Sequence, residues 1–233
     1  MNDRTIFSAT EPTTLVEAAY QRLRDDIVEG ILAPGEKLRV EHLKDRYGVG
    51  AGTLREALLR LVSDALVLVQ GQRGFRVAPM SLTDFEDITR TRVLIETEAL
   101  RQSIQAGDEE WEADLVSAFH LLSRAEERLA QDHGAVAEWE TRNRIFHESL
   151  IQACPSRWLH HFQAILYRQS ERYRRLSAFR RPIPRDVHAE HQALFEAALR
   201  RDAAQATALL RDHILRTLEA VRRMPRDFFT LNP

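Results

Sequence analysis

Apolar residues recur at three- and four-residue spacing over most of the chain, which is the pattern of helices with one buried face. The first such stretch has apolar residues at every fourth position from Leu15 to Ile27. Either Thr13 or Thr14 can cap its N-terminus, and Gly30 is a typical C-terminal stop. The pattern therefore predicts an amphipathic helix at the start of the ordered chain.

The next 50 residues predict two more helices and a β-hairpin. A short helix is expected over about 40–47, ended by Gly48, and a longer one over about 53–65. The β-branched and apolar segments 66–70 and 75–77 flank a glycine-bearing tip, which is typical of a hairpin. Three helices followed by a hairpin is the order of a winged helix-turn-helix.

The remainder of the chain predicts an all-helical bundle. Seven of the nine glycines lie before residue 75, and Ser81–Asp84 has the form of a capping box. About six helices are expected: 82–106, 109–131, 135–153, 156–178, 186–200 and 203–223. The expected fold is thus mainly α, with a flexible tail over 1–12, a winged helix-turn-helix over 13–78, a linker over 79–83, a helical domain over 84–225 and a second tail over 226–233.

The composition indicates the class of protein but does not indicate what the protein binds. The 233 residues carry a net charge of −2, and the single cysteine, Cys154, has no internal partner for a disulfide. No segment approaches the ~20 apolar residues of a membrane helix. The N-terminus lacks the apolar segment of a signal peptide. We therefore expect a cytoplasmic protein that does not enter membranes.

Four short motifs in the first third carry a resemblance to a known family. They are the turn Pro34–Leu38, the pair Gly48–Val49, the helical core Arg55–Leu58 and the wing tip Arg73–Gly74. In this combination they resemble the N-terminal domain of the GntR family of bacterial regulators, over nearly all of residues 13–79. The resemblance implies a regulator that binds double-stranded operator DNA.

A recognition helix presents hydrogen-bond donors to the major groove from its N-terminal part. Arg55 lies one turn into the third helix, and Thr53 with the neighbouring backbone amides can meet a phosphate. Lys44 and Arg46 on the second helix suit phosphate contacts that fix register. The predicted DNA-contacting residues are Lys44, Arg46, Thr53, Arg55, Arg60 and Arg73.

Two observations limit the DNA prediction. The family usually has a Ser/Thr-Arg-Thr run at the head of the recognition helix, whereas this chain has Gly50–Gly52, so a base-reading arginine is missing at Ala51. Basic and acidic residues also balance over the first 78 residues, so binding depends on a local patch and on dimerisation. The alternative is that Arg55 and Arg60 form ordinary ion pairs on the helix surface.

In the predicted helical domain, the spacing of four polar residues along the helices indicates that they lie close together. Asn143 and His147 are four residues apart on one helix and share a face. His191 and His213 lie equally far in sequence from Asp202, the turn between the last two helices. At 1.5 Å per residue both lie ~16 Å from that turn, so an antiparallel helix pair places them side by side. Three histidines and an amide facing inward form a metal site with open positions.

A second resemblance covers residues 84–222. It rests on Asn143–His147 as an Asp/Asn-x-x-x-His motif, on the later histidines His191 and His213, and on Arg92–Glu96 as Arg-x-x-x-Glu. These residues resemble the FCD effector domain of the FadR-type branch of GntR regulators. The resemblance implies a divalent metal, zinc in the first place with nickel or manganese as alternatives, and a small carboxylate effector. His188, one turn from His191, is the alternative ligand.

Asn143 and three neutral imidazoles leave the full +2 charge on a bound metal, which favours an anionic effector such as a mono- or dicarboxylate. Arg92 is the first candidate to clamp a carboxylate oxygen, and Arg168 and Arg172 are the next. We expect a homodimer on a palindromic operator and repression relieved by the effector.

Two other functions compete with this interpretation. The first is a zinc enzyme in which Glu148 is the base, although the chain has no His-Glu-x-x-His motif and neighbouring helix residues diverge by 100°. The second is an interaction module whose histidines are structural.

Overall fold

The computed structural model describes residues 14–71, 74–180, 183–225 and 229, except for the side chains at position 133 and positions 176–180. The described residues divide into two compact units, one ending at Pro79 and the other beginning at Met80. None of the described helices is long and apolar enough to cross a membrane.

The N-terminal unit contains the three predicted helices, α1 (Leu15–Val28), α2 (Val40–Tyr47) and α3 (Ala51–Ser63). The Thr14 hydroxyl accepts a hydrogen bond from the Glu17 amide at 3.1 Å, so Thr14 is the cap of α1. Gly48 ends α2 with a left-handed backbone, φ 66°, which glycine adopts without steric strain. The predicted order of helices is confirmed.

The wing is a three-stranded antiparallel sheet, which adds one strand to the predicted hairpin. Strands β2 (Val67–Val69) and β3 (Phe75–Val77) form the hairpin, and β1 (Lys37–Leu38) pairs with the other side of β3. The register aligns Lys37 with Arg76 and Leu38 with Phe75. A two-residue strand has no periodicity of its own, which is why the sequence pattern showed only a turn there.

Helix α3 begins two residues earlier than predicted. Gly50 has an extended backbone and its carbonyl accepts the Leu54 amide at 3.0 Å, so the first helical turn already contains Ala51 and Gly52. The side chains that close the core of this unit come from all three helices and the sheet: Ala19, Leu23, Ile27, Leu32, Leu38, Leu43, Tyr47, Leu54, Ala57, Leu58, Leu61, Leu66, Val67 and Val77.

The second unit consists of long helices within a few residues of their predicted bounds. They are α4 (Leu82–Ala106), α5 (Glu109–Gln131), α6 (Val136–Ile151), α7 (Arg157–Arg180), α8 (Val187–Leu199) and α9 (Ala203–Arg222), with a short 3-10 helix at His133–Ala135 before α6. Helix α4 begins at Leu82, as its predicted bounds have it, because the Ser81 side chain caps it by accepting from the Asp84 amide. Only this half of the predicted capping box is present: the Ser81 amide donates to the Tyr173 hydroxyl at 3.1 Å, and the Asp84 side chain accepts from the same hydroxyl at 3.2 Å.

The core of the second unit is formed between α4, α5, α6, α8 and α9. Its buried residues are Ala99, Leu100, Ile104, Trp111, Leu115, Leu122, Ala125, Trp139, Phe146, Leu150, Ile151, Cys154, Leu194, Ala197, Ala198, Ala206, Leu210 and Ile214. A smaller cluster around Phe85 and Tyr173, whose rings stack at 4.3 Å, packs the start of α4 against α7. These two clusters fix the helix faces that carry the polar site.

Candidate metal centre and DNA-reading helix

Three buried imidazoles meet inside the helical unit, from α6, α8 and α9. The ring centroids of His191 and His213 lie 4.8 Å apart, and that of His147 lies 5.1 Å from His213 and 5.6 Å from His191. One ring nitrogen of each histidine lies within 4.8 Å of the others. The predicted histidine set is therefore brought together. His188 is outside it.

The turn between α8 and α9 accounts for the pairing of His191 and His213. Arg201 takes a left-handed backbone with φ 59°, and Asp202 caps α9 by accepting from the Gln205 amide at 2.9 Å. The two helices then pack against each other through apolar residues such as Leu194 and Leu210. His191 and His213 are equally far in sequence from this turn, and the antiparallel packing of α8 and α9 therefore places them side by side, as the spacing predicted.

Each of these two histidines has a carboxylate on its outer nitrogen. The Nδ1 of His191 lies 2.7 Å from Glu126 Oε1, and the Nδ1 of His213 lies 2.9 Å from Glu190 Oε2. A carboxylate only accepts hydrogen bonds, so each pair places the imidazole proton on Nδ1 and leaves the lone pair on Nε2. This is the tautomer that a metal ligand needs.

Two orphaned polar atoms also fit a bound cation. His191 Nε2 is buried and has no hydrogen-bond partner among the described residues. The same holds for Asn143 Oδ1, whose companion Nδ2 donates to the Tyr167 hydroxyl at 2.7 Å. Buried acceptors are nearly always satisfied, so both atoms need a hydrogen-bond donor or a cation as a partner. A donor set of imidazole nitrogens and an amide oxygen suits a divalent first-row metal.

Burial keeps His147 and His213 in the neutral form that binds metal. Burial, followed by the neighbouring His213 and His191, holds the pKa of His147 well below its ordinary value. Burial also lowers the pKa of His213 to about 3, although the hydrogen bond to Glu190 opposes that shift. At neutral pH neither side chain carries a proton that would compete with a cation.

The carboxylate beside His213 is itself held by arginines. Arg185 donates to Glu190 at 2.6 Å, and Arg216 donates to the other carboxylate oxygen at 3.0 Å. Burial alone would raise the pKa of Glu190, but the hydrogen bonds from Arg185 and His213 outweigh it and lower that pKa. Glu190 therefore stays ionised and keeps its place on His213.

The other carboxylate has different neighbours. Glu126 accepts from His191 at Oε1, while Nδ1 of the half-exposed His188 lies 2.7 Å from Oε2. Burial raises the pKa of Glu126, and the bonds to the two histidines lower it further than burial raises it. His188 thus contacts the oxygen of Glu126 that His191 does not contact, and it is not part of the three-histidine cluster.

A second layer of buried charges surrounds the aromatic ring of Tyr167. The guanidinium of Arg174 lies 4.2 Å from the ring centroid and that of Arg92 lies 5.3 Å from it. Arg174 is paired with Glu140 at 2.9 Å, and Arg92 is paired with Glu96 at 2.6 Å. Both ion pairs are almost completely buried, so the ring lies in a fixed frame.

The predicted effector clamps lie on α4 and α7, two of the three helices that carry this layer. Nε and Nη2 of Arg92 donate to Glu96, so an effector would have to share this guanidinium with a carboxylate. Arg172 is 3% exposed and burial lowers its pKa, whereas Arg168 is half-buried on the same helix, α7. The role of all three in effector binding stays a prediction.

Glu148, the base of the competing enzyme hypothesis, points away from the histidines. Its carboxylate pairs with Arg144 at 3.1 Å and is 43% exposed. The 100° offset from His147 along α6 gives this result, as expected from the sequence.

The predicted DNA-contacting residues differ in how they are held. Arg55 is exposed on α3, and its side chain forms no ion pair or hydrogen bond with the described residues. Arg60 contacts Glu17 at 3.1 Å and Glu56 at 3.3 Å, which are the surface ion pairs of the alternative interpretation. Arg55 is therefore the cation of α3 most available to a ligand.

The remaining predicted contacts lie on α2, on α3 and at the wing tip. Lys44 pairs with Glu41 at 2.8 Å, and Arg46 pairs with Asp26 of α1 at 2.9 Å. Thr53 is half-buried in the first turn of α3. Arg73 lies outside the described residues. These DNA contacts stay predictions.

Comparisons with known proteins match both halves of the chain. Residues 15–77 match the family described as "Bacterial regulatory proteins, gntR family", and residues 87–216 match the FCD domain. The chain belongs to the GntR family. It is 53% identical over 211 residues to the uncharacterized HTH-type transcriptional regulator BphR of Paraburkholderia xenovorans, covering 90% of this chain and 86% of that protein.

A second curated relative of this GntR protein is the HTH-type transcriptional repressor GlaR of Escherichia coli, 37% identical over 88% of this chain and 94% of that one. Among solved structures, a putative GntR regulator from a Rhodococcus species and McbR/YncC of E. coli each align with a TM-score of 0.71 at 20% identity. They cover 91% and 90% of this chain and 99% and 98% of their own, respectively, and show that the fold is shared.

These matches make the protein a DNA-binding transcriptional regulator and set the enzyme hypothesis aside. GntR regulators bind operator DNA, and FCD domains bind small-molecule effectors and often a metal. The recognised family thus agrees with the winged unit and with the three-histidine cluster.

Proposed function

We propose that this GntR regulator is a repressor whose affinity for operator DNA is controlled by a small carboxylate, bound at a divalent metal in the helical unit. In this proposal residues 13–78 bind DNA and residues 84–225 sense the effector. The observation that carries it is the buried set of three histidines, with carboxylates on the outer nitrogens of His191 and His213 and an orphaned amide oxygen on Asn143.

Asn143, His147, His191 and His213 would hold the metal. All four ligands are neutral, so a bound divalent cation would supply a net charge of +2 and open positions for an anion. Zinc suits this nitrogen-rich set best, with nickel or manganese as the alternatives. The negative charges of Glu126 and Glu190 act through the imidazoles, where they fix the tautomer and strengthen the nitrogen donors.

A carboxylate is the effector class that this charge distribution favours. Arginines match most of the anions near the centre: Arg92 pairs with Glu96, Arg174 with Glu140, and Arg185 with Glu190. Glu126 contacts two histidines. None of these carboxylates is a direct ligand in the proposed set, so the open positions of the metal are left for an added anion. Arg92 would donate to a second carboxylate oxygen, which extends the proposal to dicarboxylates, and Arg168 and Arg172 are further candidates.

The proposed unit that binds DNA is a homodimer on a palindromic operator. One winged unit offers Arg55 as its available cation on α3, while Lys44, Arg46 and Arg60 are shared with acids. Two copies double the phosphate and base contacts, and two-fold symmetry requires a palindromic site. The E. coli relative named as a repressor supports repression, and by linkage an effector that releases DNA must bind the DNA-bound form less tightly.

A thermal-unfolding screen tests the sensing part of the proposal. Zinc-loaded protein is melted with a panel of small mono- and dicarboxylates, and the series is repeated after chelation and with the His213→Ala variant. The proposal expects at least one acid to raise Tm in the loaded protein only, because a ligand stabilises the folded state that it binds. The proposal fails if no acid raises Tm, or if the same acid acts equally on the chelated protein and the variant.

A further inference from the structure

We propose that Tyr167 is a positioning residue for the metal centre, because its hydroxyl accepts a hydrogen bond from the Asn143 NH2 group in the orientation that presents the amide oxygen as the ligand atom. The inference rests on the proposed metal centre and assigns to Tyr167 a role that the ligand motif does not contain. Tyr167 lies on α7, whereas the four ligands lie on α6, α8 and α9.

The need for a positioning residue follows from the chemistry of the amide. The oxygen of Asn143 has lone pairs for a cation, whereas its NH2 group has only protons to offer. The two orientations have nearly the same shape, so packing alone distinguishes them poorly. In the orientation that presents the oxygen, the NH2 group is turned away from the centre and needs a buried acceptor, whereas an aspartate at this position has no NH2 group to satisfy.

Tyr167 supplies that acceptor. Nδ2 of Asn143 lies 2.7 Å from the Tyr167 hydroxyl, and Oδ1 is the atom left buried without a partner. Turning the amide over would place two NH2 protons at the centre, where they would repel a cation, and the hydroxyl would then donate to the amide oxygen. With the oxygen at the centre, the hydroxyl is the group that accepts from the buried NH2.

The hydroxyl can act as a positioning group because the ring that carries it is itself fixed. Tyr167 is 2% exposed, and its ring has the guanidinium of Arg174 at 4.2 Å and that of Arg92 at 5.3 Å. Each arginine is held by a buried glutamate, Glu140 or Glu96. The two Arg–Glu pairs thus fix the ring of Tyr167, and the fixed ring in turn fixes the position of the hydroxyl that contacts the Asn143 amide.

The test is a double-mutant cycle on metal affinity. Tyr167→Phe removes the hydroxyl and keeps the ring, and Asn143→Asp replaces the amide by a carboxylate whose two oxygens are equivalent. Zinc dissociation constants are measured by competition with a chromophoric chelator for the wild type, both single variants and the double variant. We expect Y167F to weaken zinc binding by about tenfold or more in the wild-type background, as removal of a group behind a ligand typically does. In the N143D background the same change should weaken it by less than about threefold, because the carboxylate has no NH2 group to be left without an acceptor and both of its oxygens can bind the cation.

Tyr173→Phe is the matched control. Tyr173 is a buried tyrosine on the same helix whose hydroxyl contacts Ser81 and Asp84, far from the amide. This variant should lose unfolding free energy in the chelated state without losing zinc affinity. Equal losses of affinity in Y167F and Y173F, or equal losses from Y167F with and without N143D, would overturn the positioning role. A wild type that binds no zinc would instead overturn the proposed metal centre together with this inference.

A measurement on the unmodified chain covers the case in which Y167F does not fold. The side-chain NH2 signals of Asn143 are identified in a proton–nitrogen NMR spectrum by their loss in N143D. A buried NH2 group bonded to the Tyr167 hydroxyl should exchange slowly with D2O, in the zinc-loaded and in the chelated protein. Exchange that is complete at the first time point in the loaded protein would contradict the proposed hydrogen bond.

Discussion

Glu126 Oε1 lies 2.7 Å from His191 Nδ1, although the two residues are 65 positions apart and on different helices. The second oxygen of the same carboxylate contacts His188. One residue of α5 therefore contacts both neighbouring histidines of α8, the buried His191 through one oxygen and the half-exposed His188 through the other. In the proposed metal centre, the buried His191 is the ligand of the pair.

The first prediction concerns this carboxylate. Glu126→Gln keeps the shape but offers one acceptor oxygen to two imidazoles and removes the negative charge that makes His191 a strong donor. Zinc affinity should fall by about tenfold or more, as for other partners of ligating histidines. Competition with a chromophoric chelator measures it. Glu127→Gln is the matched control, since Glu127 is exposed and pairs only weakly with Arg124 at 3.6 Å among the described residues. If E126Q and E127Q have the same affinity, the carboxylate does not support a metal ligand.

The second prediction separates the two histidines of α8. His191→Ala removes a proposed ligand and should lower zinc affinity by more than the ~100-fold upper range for groups behind a ligand. His188→Ala removes a side chain that is 48% exposed and should leave the dissociation constant within about threefold of the wild type. Isothermal titration of chelator-treated protein gives both values. The reverse order of effects would make His188 the ligand.

The third prediction tests the buried frame around Tyr167. Glu140→Ala leaves the Arg174 guanidinium charged and buried, so the free energy of unfolding should fall by about 3–5 kcal/mol. The double variant E140L/R174M removes both charges and should recover most of that loss. Urea unfolding of chelated protein measures the three stabilities. An E140A variant as stable as the wild type would show that this ion pair does not hold the frame.

The fourth prediction concerns DNA. Arg55→Ala should weaken binding to duplexes selected with the wild-type protein by about 1–3 kcal/mol and relax the sequence preference at one position per half-site. Arg60→Ala removes a side chain shared between Glu17 and Glu56, and should change affinity less and stability by only ~0–1 kcal/mol. Fluorescence anisotropy at fixed salt gives the affinities. Equal effects of the two substitutions would argue against Arg55 as a base-reading residue.

The helix pattern and the histidine pairing could be predicted from the sequence because both depend on local spacing. Helix periodicity and caps such as Thr14 and Ser81 give the bounds of the helices within a few residues. The pairing of His191 with His213 could be predicted because a tight turn at Asp202 joins two antiparallel helices, so residues equally far from the turn lie next to each other. Strand β1 was not predicted because a segment of two residues is too short to show the alternation of apolar and polar positions that marks a strand.

The groups behind the ligands could not be predicted in the same way. Glu126 reaches His191 across 65 residues, and no spacing rule connects α5 to α8. Glu190 directly precedes His191, yet it contacts His213 on the next helix because adjacent helix residues face different neighbours. The contact between the Tyr167 hydroxyl and Asn143 could not be predicted for the same reason, since it depends on how α6 and α7 pack against each other. Local spacing thus predicted which side chains come together as proposed ligands, whereas the groups that orient them depend on tertiary packing.

The most direct test of the account measures operator release as a function of effector and metal together. A labelled operator duplex is bound by zinc-loaded protein and by chelated protein, and the carboxylate that raises Tm most in the unfolding screen is titrated into each complex. The account predicts that the acid releases DNA from the loaded protein at concentrations that leave the chelated complex intact, and that H213A behaves as the chelated protein does. Release at the same acid concentration from loaded protein, chelated protein and H213A would contradict it, because the carboxylate would then act without the histidine centre.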